Sequence, residues 1–198
     1  MQIGYLGVSS AFVVPEDSEV LTRHPKARRP GELIDLHHSM CHGCGDDAIE
    51  GLRIKVYAAQ GFTVRAKMDV QRRMEGGPGT IHGGVLSAAF DEVMGHLPLL
   101  IGPGAVTAHL EIDFSAPIPL GSTLYFVGRI LAKERRKIYT EVVAYLQDPE
   151  VNSESPIVAT GRALFIQVNG AAHYGKFVAN SQVAEHYSKI APTVGGPE

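Results

Sequence analysis

The chain has little of what would mark a secreted, membrane-spanning or nucleic-acid-binding protein. It contains no tryptophan and only two cysteines in 198 residues, which excludes a disulfide-rich scaffold. No apolar run approaches the ~20 residues of a membrane span, and we expect no signal peptide. The net charge is only −3, so no overall field favours nucleic acid. We therefore expect a cytoplasmic globular protein with neither a membrane nor a nucleic acid as its partner.

Glycine, by contrast, is abundant. The chain has 22 glycines, and five of them lie close together at Gly76, Gly77, Gly79, Gly83 and Gly84. Clustered glycine indicates that the backbone must approach another group closely. Hydrophobic residues make up 44% of the chain, which is ordinary for a protein with one hydrophobic core.

Alternating apolar residues predict six strands, at 53–59, 62–68, 106–114, 122–132, 137–147 and 156–168. One apolar helix is predicted over 83–97, where Pro98 stops it. A sheet with one apolar face must be covered, and this helix is the obvious cover. The pattern predicts an α+β fold in which an antiparallel sheet of five to six strands wraps around one central helix.

The ends of the chain differ from this central pattern. Residues 1–40 carry a basic, proline-flanked patch and are interpreted as an N-terminal extension with some helix around 32–40. Residues 41–168 form the predicted domain. Residues 169–198 are interpreted as a C-terminal extension, partly helical near 181–190.

The start of the central helix has the features of an oxyanion site. Gly83 and Gly84 leave backbone N–H groups bare where a helix has no internal partners for them, although a tight junction would also use glycine. Asp91 interrupts an apolar stretch and shares a stripe of small residues with Gly84. The two lie about 10 Å apart along the axis, too far to act on one group within one subunit. Glu92 points about 100° away and is expected at the helix surface or an interface.

The segment Gly79-Thr80-Ile81-His82-Gly83-Gly84, with Asp91 nine residues after His82, resembles the hotdog-fold acyl-CoA thioesterases of the phenylacetic-acid-degradation type. Other matching marks are Cys41-His42-Gly43-Cys44-Gly45, Ile112-Asp113-Phe114 and Ala159-Thr160-Gly161. The resemblance covers roughly residues 41–168.

The resemblance implies hydrolysis of an acyl-CoA thioester without a cofactor, since coenzyme A is part of the substrate. In such enzymes the backbone at Gly83 and Gly84 would polarise the thioester carbonyl. Asp91 of the other subunit would be the general base or the nucleophile. Thr107 would hold the attacking water, and His82 would shape the loop or touch the acyl carbonyl. The family further implies a homodimer with shared active sites, in some cases a homotetramer.

One position departs from the family pattern. Many relatives carry an asparagine six residues before the motif histidine, where this chain has Gly76. A non-catalytic acyl-CoA-binding protein is therefore an alternative. An enoyl-CoA hydratase-type enzyme would need a paired acid and histidine, but Asp91 and His96 lie about 140° apart on a helix.

A basic turn offers candidate contacts to the phosphates of coenzyme A. Arg135, Arg136 and Lys137 lie between two predicted strands, and such side chains pair well with phosphate. A solvated turn would have the same composition. Arg72 and Arg73 are weaker candidates for the same role.

The two cysteines could suggest a metal site. Cys41 and Cys44, together with His37, His38 and His42, would form a partial Cys2His2 set. A zinc site needs four ligands at suitable spacing, and no second cysteine pair exists. We therefore expect no metal and interpret the cysteines as small apolar residues. His96 and His109 are expected to be structural or to line a pocket.

Overall fold

The computed structural model describes residues 12–102 and 104–179. This part of the chain forms six strands, a central helix and a second, C-terminal helix. In chain order these are β1 (Lys55–Ala58), β2 (Thr63–Asp69), α1 (Gly83–Gly95), β3 (Ala105–Phe114), β4 (Thr123–Glu134), β5 (Lys137–Tyr145), β6 (Ile157–Gln167) and α2 (Gly170–Ala179). The predicted order of strands around one central helix is confirmed.

All six strands form one antiparallel sheet in the order β1-β2-β4-β5-β6-β3. Each predicted strand is present, and its ends differ from the prediction by at most two residues. The β1–β2 turn contains Gly61 with φ +62°, a conformation that glycine adopts without strain. Strand β3 lies at one edge and pairs only with β6.

Helix α1 covers the sheet with its apolar face. The buried side chains on this face are Leu86, Ala89, Phe90, Val93 and Met94, and burying each of the larger ones contributes about 1.5–3 kcal/mol. The α-helix ends at Gly95, two residues earlier than predicted. The chain continues as a short 3-10 helix, Leu97–Leu100, because Pro98 cannot donate the hydrogen bond that another α-helical turn requires.

The ring of Phe90 lies directly on the backbone of β6. A Cβ atom at Gly161 would be 2.4 Å from Phe90 Cδ1. Phe90 is fully buried and packs edge-on against Phe126 at a ring separation of 5.6 Å, so its ring has little freedom to move aside. Gly161 therefore sets how closely α1 approaches the sheet.

The expected helix around 32–40 is wrong. Residues 32–40 run as an irregular segment, in which Leu33 forms an isolated bridge to Tyr57. The Ile34 N–H donates to the Val56 carbonyl at 2.9 Å, and the Ala58 N–H donates to the Glu32 carbonyl at 3.0 Å. These bonds go to β1 rather than along the segment, because the outer edge of β1 offers unpaired backbone groups.

The C-terminal helix α2 was not expected at this position, while the predicted helix near 181–190 lies outside the described residues. Helix α2 begins where Asn169 accepts a hydrogen bond from the Ala172 N–H at 3.0 Å, which is N-terminal capping by asparagine. In the described part of the chain, no helix has the length and apolar character to cross a membrane.

The face of the sheet away from α1 carries paired charges. Glu141 on β5 lies between Arg129 of β4, at 2.7 Å, and Arg162 of β6, at 3.0 Å. Burial alone would raise the pKa of the Glu141 carboxyl, but the two guanidinium groups hold it below its usual value.

The close contact at Gly161 leads to a stability prediction. We expect Gly161→Ala to lower the free energy of unfolding by about 1–3 kcal/mol, because the added methyl group collides with a buried ring. Urea denaturation measures this loss. In a Phe90→Leu background the ring atoms are absent, so the same substitution should cost less. An equal loss in both backgrounds would show that this contact does not set the position of α1.

Candidate active site

Two of the predicted site residues meet in one hydrogen bond. Asp91 lies on the middle of α1, and Thr107 lies near the start of β3. The Thr107 hydroxyl donates to Asp91 Oδ1 at 2.7 Å. Thr107 is exposed and Asp91 half-buried, so the pair lies at the surface beside the free edge of the sheet. The carboxylate is thereby held in one orientation while its other oxygen stays available.

His82 is the N-cap residue of α1. Its Nδ1 accepts a hydrogen bond from the Gly84 N–H at 2.9 Å. This bond satisfies one of the N–H groups that a helix start leaves without internal partners. Within the part of the chain that the structure describes, the Gly83 N–H has no acceptor. Of the two predicted oxyanion donors, Gly83 is thus the free one, and His82 shapes the turn.

The free donor and the carboxylate lie at opposite ends of β3. Gly83 lies near Phe114, the last residue of β3, whose ring would be 3.7 Å from a Cβ atom at Gly83. Asp91 bonds to Thr107 near the other end of the same strand. Eight residues of helix separate Gly83 from Asp91, a rise of about 12 Å. One chain therefore does not bring the two groups to one reacting atom.

Gly76 is closed to any side chain. A Cβ atom there would lie 2.6 Å from His82 Cα. The loop is held in place by the His82 N–H, which donates to the Met74 carbonyl at 2.8 Å, and by the Gly76 N–H, which donates to the Thr80 carbonyl at 2.9 Å. An asparagine at position 76 would need a different loop path, which explains its absence from this chain.

The basic turn joins β4 to β5 at the same end of the sheet as Thr107. Thr107 pairs with Phe165, and Phe165 pairs with Ile138, the neighbour of Lys137. Arg135 has φ +55° at the tip. Its backbone N–H donates to Glu19 Oε1 at 2.5 Å, so the first described part of the N-terminal extension holds this turn.

Among the described residues a shallow cleft of about 690 Å³ lies elsewhere. Its lining includes Arg72, Glu75 and Ser122 but none of the predicted catalytic residues. Arg73, the partner of Arg72 in the weaker phosphate prediction, donates instead to the Glu50 and Gly51 carbonyls at 2.9 and 2.8 Å. Arg73 thus stabilises the loop at residues 50–51.

The expectation for Glu92 is wrong, because this carboxylate points inward. Only 7% of Glu92 is exposed. It lies 3.2 Å from His37 Nδ1 and 3.4 Å from His96 Nδ1, and Cys41 Sγ lies 3.5 Å from its other oxygen. The sequence signal that could have found it is the spacing of Glu92 and His96, one helical turn apart.

Burial and charge set the protonation of these groups. Burial alone would lower the pKa of His37, but the hydrogen bond to Cys41 and the nearby Glu92 carboxylate raise it to about 10. Burial would raise the pKa of Glu92, but the contact with His37 lowers it to about 2. Burial lowers the pKa of His96 to about 4. His96 is 1% exposed, and its Nδ1 lies 2.9 Å from the Glu92 carbonyl oxygen. His109 lies beside Glu111 at 3.7 Å.

Known proteins resemble this chain in sequence and in fold. The family model of the thioesterase superfamily matches residues 78–153, from the glycine loop through α1 and β5 into the loop that follows β5. The match covers less than half of the chain, and this segment is similar to the thioesterase superfamily. The predicted hotdog fold is confirmed by solved members of the superfamily. The E. coli PaaI protein from the phenylacetic acid degradation operon superposes with a TM-score of 0.55 at 21% identity, covering 63% of this chain and 86% of that one.

A second solved structure, smu.793 from Streptococcus mutans bound to acetyl CoA, has a TM-score of 0.52 at 21% identity and covers 59% of this chain and 89% of that one. Among curated proteins, acyl-coenzyme A thioesterase THEM4 of Xenopus laevis is 30% identical over 95 residues, which are 48% of this chain and 40% of that protein. THEM5 of Mus musculus is 32% identical over 95 residues, 48% and 36%. The match thus spans less than half of each curated relative.

The capping role of His82 can be tested apart from activity. We expect His82→Ala to lower the free energy of unfolding by about 1 kcal/mol, because the Gly84 N–H loses its acceptor. His82→Asn is the matched control, since asparagine is a favoured N-cap residue and should retain most of the stability. Urea denaturation compares the two. Equal losses would mean that the Nδ1 contact does not stabilise α1.

Proposed function

We propose that this chain hydrolyses acyl-CoA thioesters to a free acid and coenzyme A, in a homodimer that assembles each active site from two subunits. The observation that carries the proposal is the Thr107–Asp91 hydrogen bond beside the free edge of β3. The names of the curated relatives, both acyl-coenzyme A thioesterases, support the reaction. The acetyl CoA bound to the S. mutans protein supports the substrate class.

The dimer proposal rests on the symmetry of β3. An exposed edge strand of ten residues offers a row of unpaired backbone groups. In an antiparallel pairing of two β3 strands about a two-fold axis at Glu111, Thr107 and Phe114 each lie three register positions from the axis, because the register shift between Thr107 and His109 removes one position. Phe114 of one subunit would then lie opposite Thr107 of its partner. This pairing brings the Gly83 N–H of one subunit toward the Asp91 carboxylate of the other.

The proposed chemistry needs only this chain's own groups. The Gly83 N–H donates to the thioester carbonyl oxygen and stabilises the negative charge that develops there, a contribution of about 3–4 kcal/mol for one good donor. Thr107 holds the attacking water beside Asp91, which accepts a proton as the water oxygen bonds to the carbonyl carbon. Collapse of the tetrahedral intermediate breaks the C–S bond. Asp91 returns the proton to the departing thiolate, which leaves as coenzyme A. If Asp91 is instead the nucleophile, its carboxylate oxygen bonds to the carbonyl carbon as the C–S bond breaks and coenzyme A leaves as the thiolate. Water then cleaves the resulting anhydride to the free acid and the Asp91 carboxylate.

The basic turn is the proposed phosphate contact. Arg135, Arg136 and Lys137 lie at the Thr107 end of the sheet, two strands or about 10 Å across from Thr107. Coenzyme A carries its phosphates away from the thioester on a flexible arm, so a cationic group at this end of the sheet suits them. A hydratase function is less well supported. It would need a histidine beside Asp91, whereas His96 packs against Glu92.

Release of thiol distinguishes an enzyme from a binding protein. Wild-type protein should release coenzyme A from at least one member of an acyl-CoA panel of varied chain length, followed with a thiol reagent. Asp91→Asn should lower kcat by about 100-fold or more, because it removes the base. Thr107→Ser keeps the hydroxyl and should retain most of the rate, whereas Thr107→Val should not. Binding of acyl-CoA without thiol release by the wild type would favour the non-catalytic alternative.

A mixing experiment tests the shared site. Gly83→Pro removes the proposed donor with little distortion, since proline is favoured at the first helical position and His82, at φ −71° and ψ 132°, already has the conformation that precedes proline. Gly83→Pro and Asp91→Asn should each be inactive alone. Equal amounts, denatured and refolded together, should recover about a quarter of the wild-type rate, because half of the dimers are mixed and each has one intact site of two.

Gly83→Ala serves as the control in this experiment. It keeps the N–H, and its methyl group would lie 3.7 Å from Phe114, an ordinary contact, so most of the activity should remain. No recovery in the mixture, despite mixed dimers shown by differently tagged chains, would place each complete site within one subunit.

A further inference from the structure

Four potential metal ligands converge beneath α1, away from the Thr107–Asp91 pair. They are His37, Cys44, Glu92 and His96, and one nitrogen, sulfur or oxygen atom from each lies within 4.8 Å of all the others. Cys44 has no exposed surface, His96 is 1% exposed and Glu92 is 7% exposed. A buried carboxylate beside a buried imidazole is costly unless both have partners, so the cluster requires an explanation.

The spacing of the ligand atoms suits a single small cation. His37 Nδ1 lies 3.2 Å from Glu92 Oε1 and 3.7 Å from Cys44 Sγ, and His96 Nδ1 lies 3.4 Å from Glu92 Oε1. Tetrahedral zinc bonded to nitrogen, oxygen and sulfur places neighbouring ligand atoms about 3.3–3.6 Å apart. These three distances are close to those edges, and the other pairs of ligand atoms lie within 4.8 Å. His96 Nδ1 also lies 2.9 Å from the Glu92 carbonyl oxygen, a contact that zinc bound to this nitrogen would replace.

One carboxylate oxygen of Glu92 points into the cluster and makes no hydrogen bond with the described residues there. Glu92 Oε1 is buried and lies at ion-pair distance from His37 Nδ1, 3.2 Å, and from His96 Nδ1, 3.4 Å, but neither contact has hydrogen-bond geometry. An unsatisfied buried carboxylate oxygen costs free energy, and a cation between the four groups would satisfy it. Its other oxygen, Oε2, accepts from Cys41 Sγ at 3.5 Å, so Cys41 orients the carboxylate.

The loop from His37 to Gly45 is shaped to enclose this point. A Cβ atom at Gly43 would lie 1.9 Å from Glu92 Oε2, so only glycine lets the loop backbone approach the carboxylate. The His37 backbone N–H donates to Cys44 Sγ at 3.3 Å, so the loop itself holds these two candidate ligands together. The His37 imidazole lies against the helix at Gly95, where a Cβ atom would be 3.4 Å from Cε1, an ordinary contact.

We propose that His37, Cys44, Glu92 and His96 bind one zinc ion. A set of two imidazoles, one thiolate and one carboxylate suits zinc and not calcium or magnesium, which prefer oxygen ligands. Four protein ligands, three of them buried and His37 about one-third exposed, leave no open coordination position, as in a structural site. Cys41 is the supporting residue rather than a ligand. The ion ties the loop that precedes β1 to the second half of α1. This assignment departs from the sequence-based expectation of no metal.

Metal content tests the assignment without reference to catalysis, so its outcome is separate from that of the proposed function. The full chain, purified with a tag that contains no histidine, should carry about one zinc per chain by mass spectrometry of the metal. Removal of the zinc with a chelator should lower the thermal midpoint, and added zinc should restore it. Cobalt in place of zinc should give the thiolate charge-transfer band and the strong visible bands of a tetrahedral site.

The matched variants are Cys44→Ser and Cys41→Ser. Cys44→Ser should lose the thiolate–cobalt band and most of the zinc, while Cys41→Ser should keep both. If Cys44→Ser does not fold, Glu92→Gln replaces it. That near-isosteric change should weaken zinc binding by more than the ~10–100-fold that losing a supporting hydrogen bond costs. Wild-type protein that binds neither zinc nor cobalt at micromolar concentration overturns the proposal. If Cys41→Ser loses the thiolate–cobalt band and the zinc while Cys44→Ser keeps both, the assigned ligand set is wrong.

Discussion

The packing of Phe90 on Gly161 is the constraint on which the rest of the structure depends. Without a side chain at position 161, the ring rests on the sheet backbone and α1 has one rotation about its axis. That rotation decides where the two adjacent carboxylates of the helix point. Asp91 faces the edge strand and meets Thr107, while Glu92 faces the loop beneath the helix. A helix turned by one residue would exchange their environments, since successive residues differ by about 100°.

Two neighbouring carboxylates therefore have opposite requirements. The proposed chemistry needs Asp91 accessible at the sheet edge, where the Thr107 hydroxyl orients it. Glu92 is buried instead, and His37, His96 and Cys41 lie around it. Opposite charge stabilises a buried carboxylate, and the low pKa of Glu92, near 2, reflects the contact with His37. The N-terminal segment thus has a physical role, since it supplies the partners that let an acidic residue occupy the inner face of α1.

The sequence predicts the architecture well because its signals are local. Strand alternation, the apolar run of α1 and the glycines at its start each depend on residues within one turn or one strand. Asp91 can be chosen as a candidate site residue for the same reason, because a carboxylate in an apolar stretch stands out. Glu92 is harder, since its environment is set by His37 and Cys44, about fifty residues earlier in the chain. Rules for the spacing of metal ligands compare residues within a short segment. Here Glu92 and His96 lie on and directly after α1, far along the chain from His37 and Cys44.

The failed helix at 32–40 follows the same principle in reverse. Local composition permits a helix there. The free edge of β1, however, offers backbone donors and acceptors, and the segment forms hydrogen bonds with them instead of within a helix. Segments of nine residues form marginal helices in water, so a few hydrogen bonds to a strand outweigh the helical preference. The opposite edge, β3, has no such cover from the described chain. A long bare edge is prone to pair with another strand, and the placement of Gly83 and Asp91 at its two ends makes a symmetric copy the partner that would serve the chemistry. Within the described chain, the sheet thus covers the β1 edge with its own N-terminal segment and leaves the β3 edge open, which is where the proposed dimer would form.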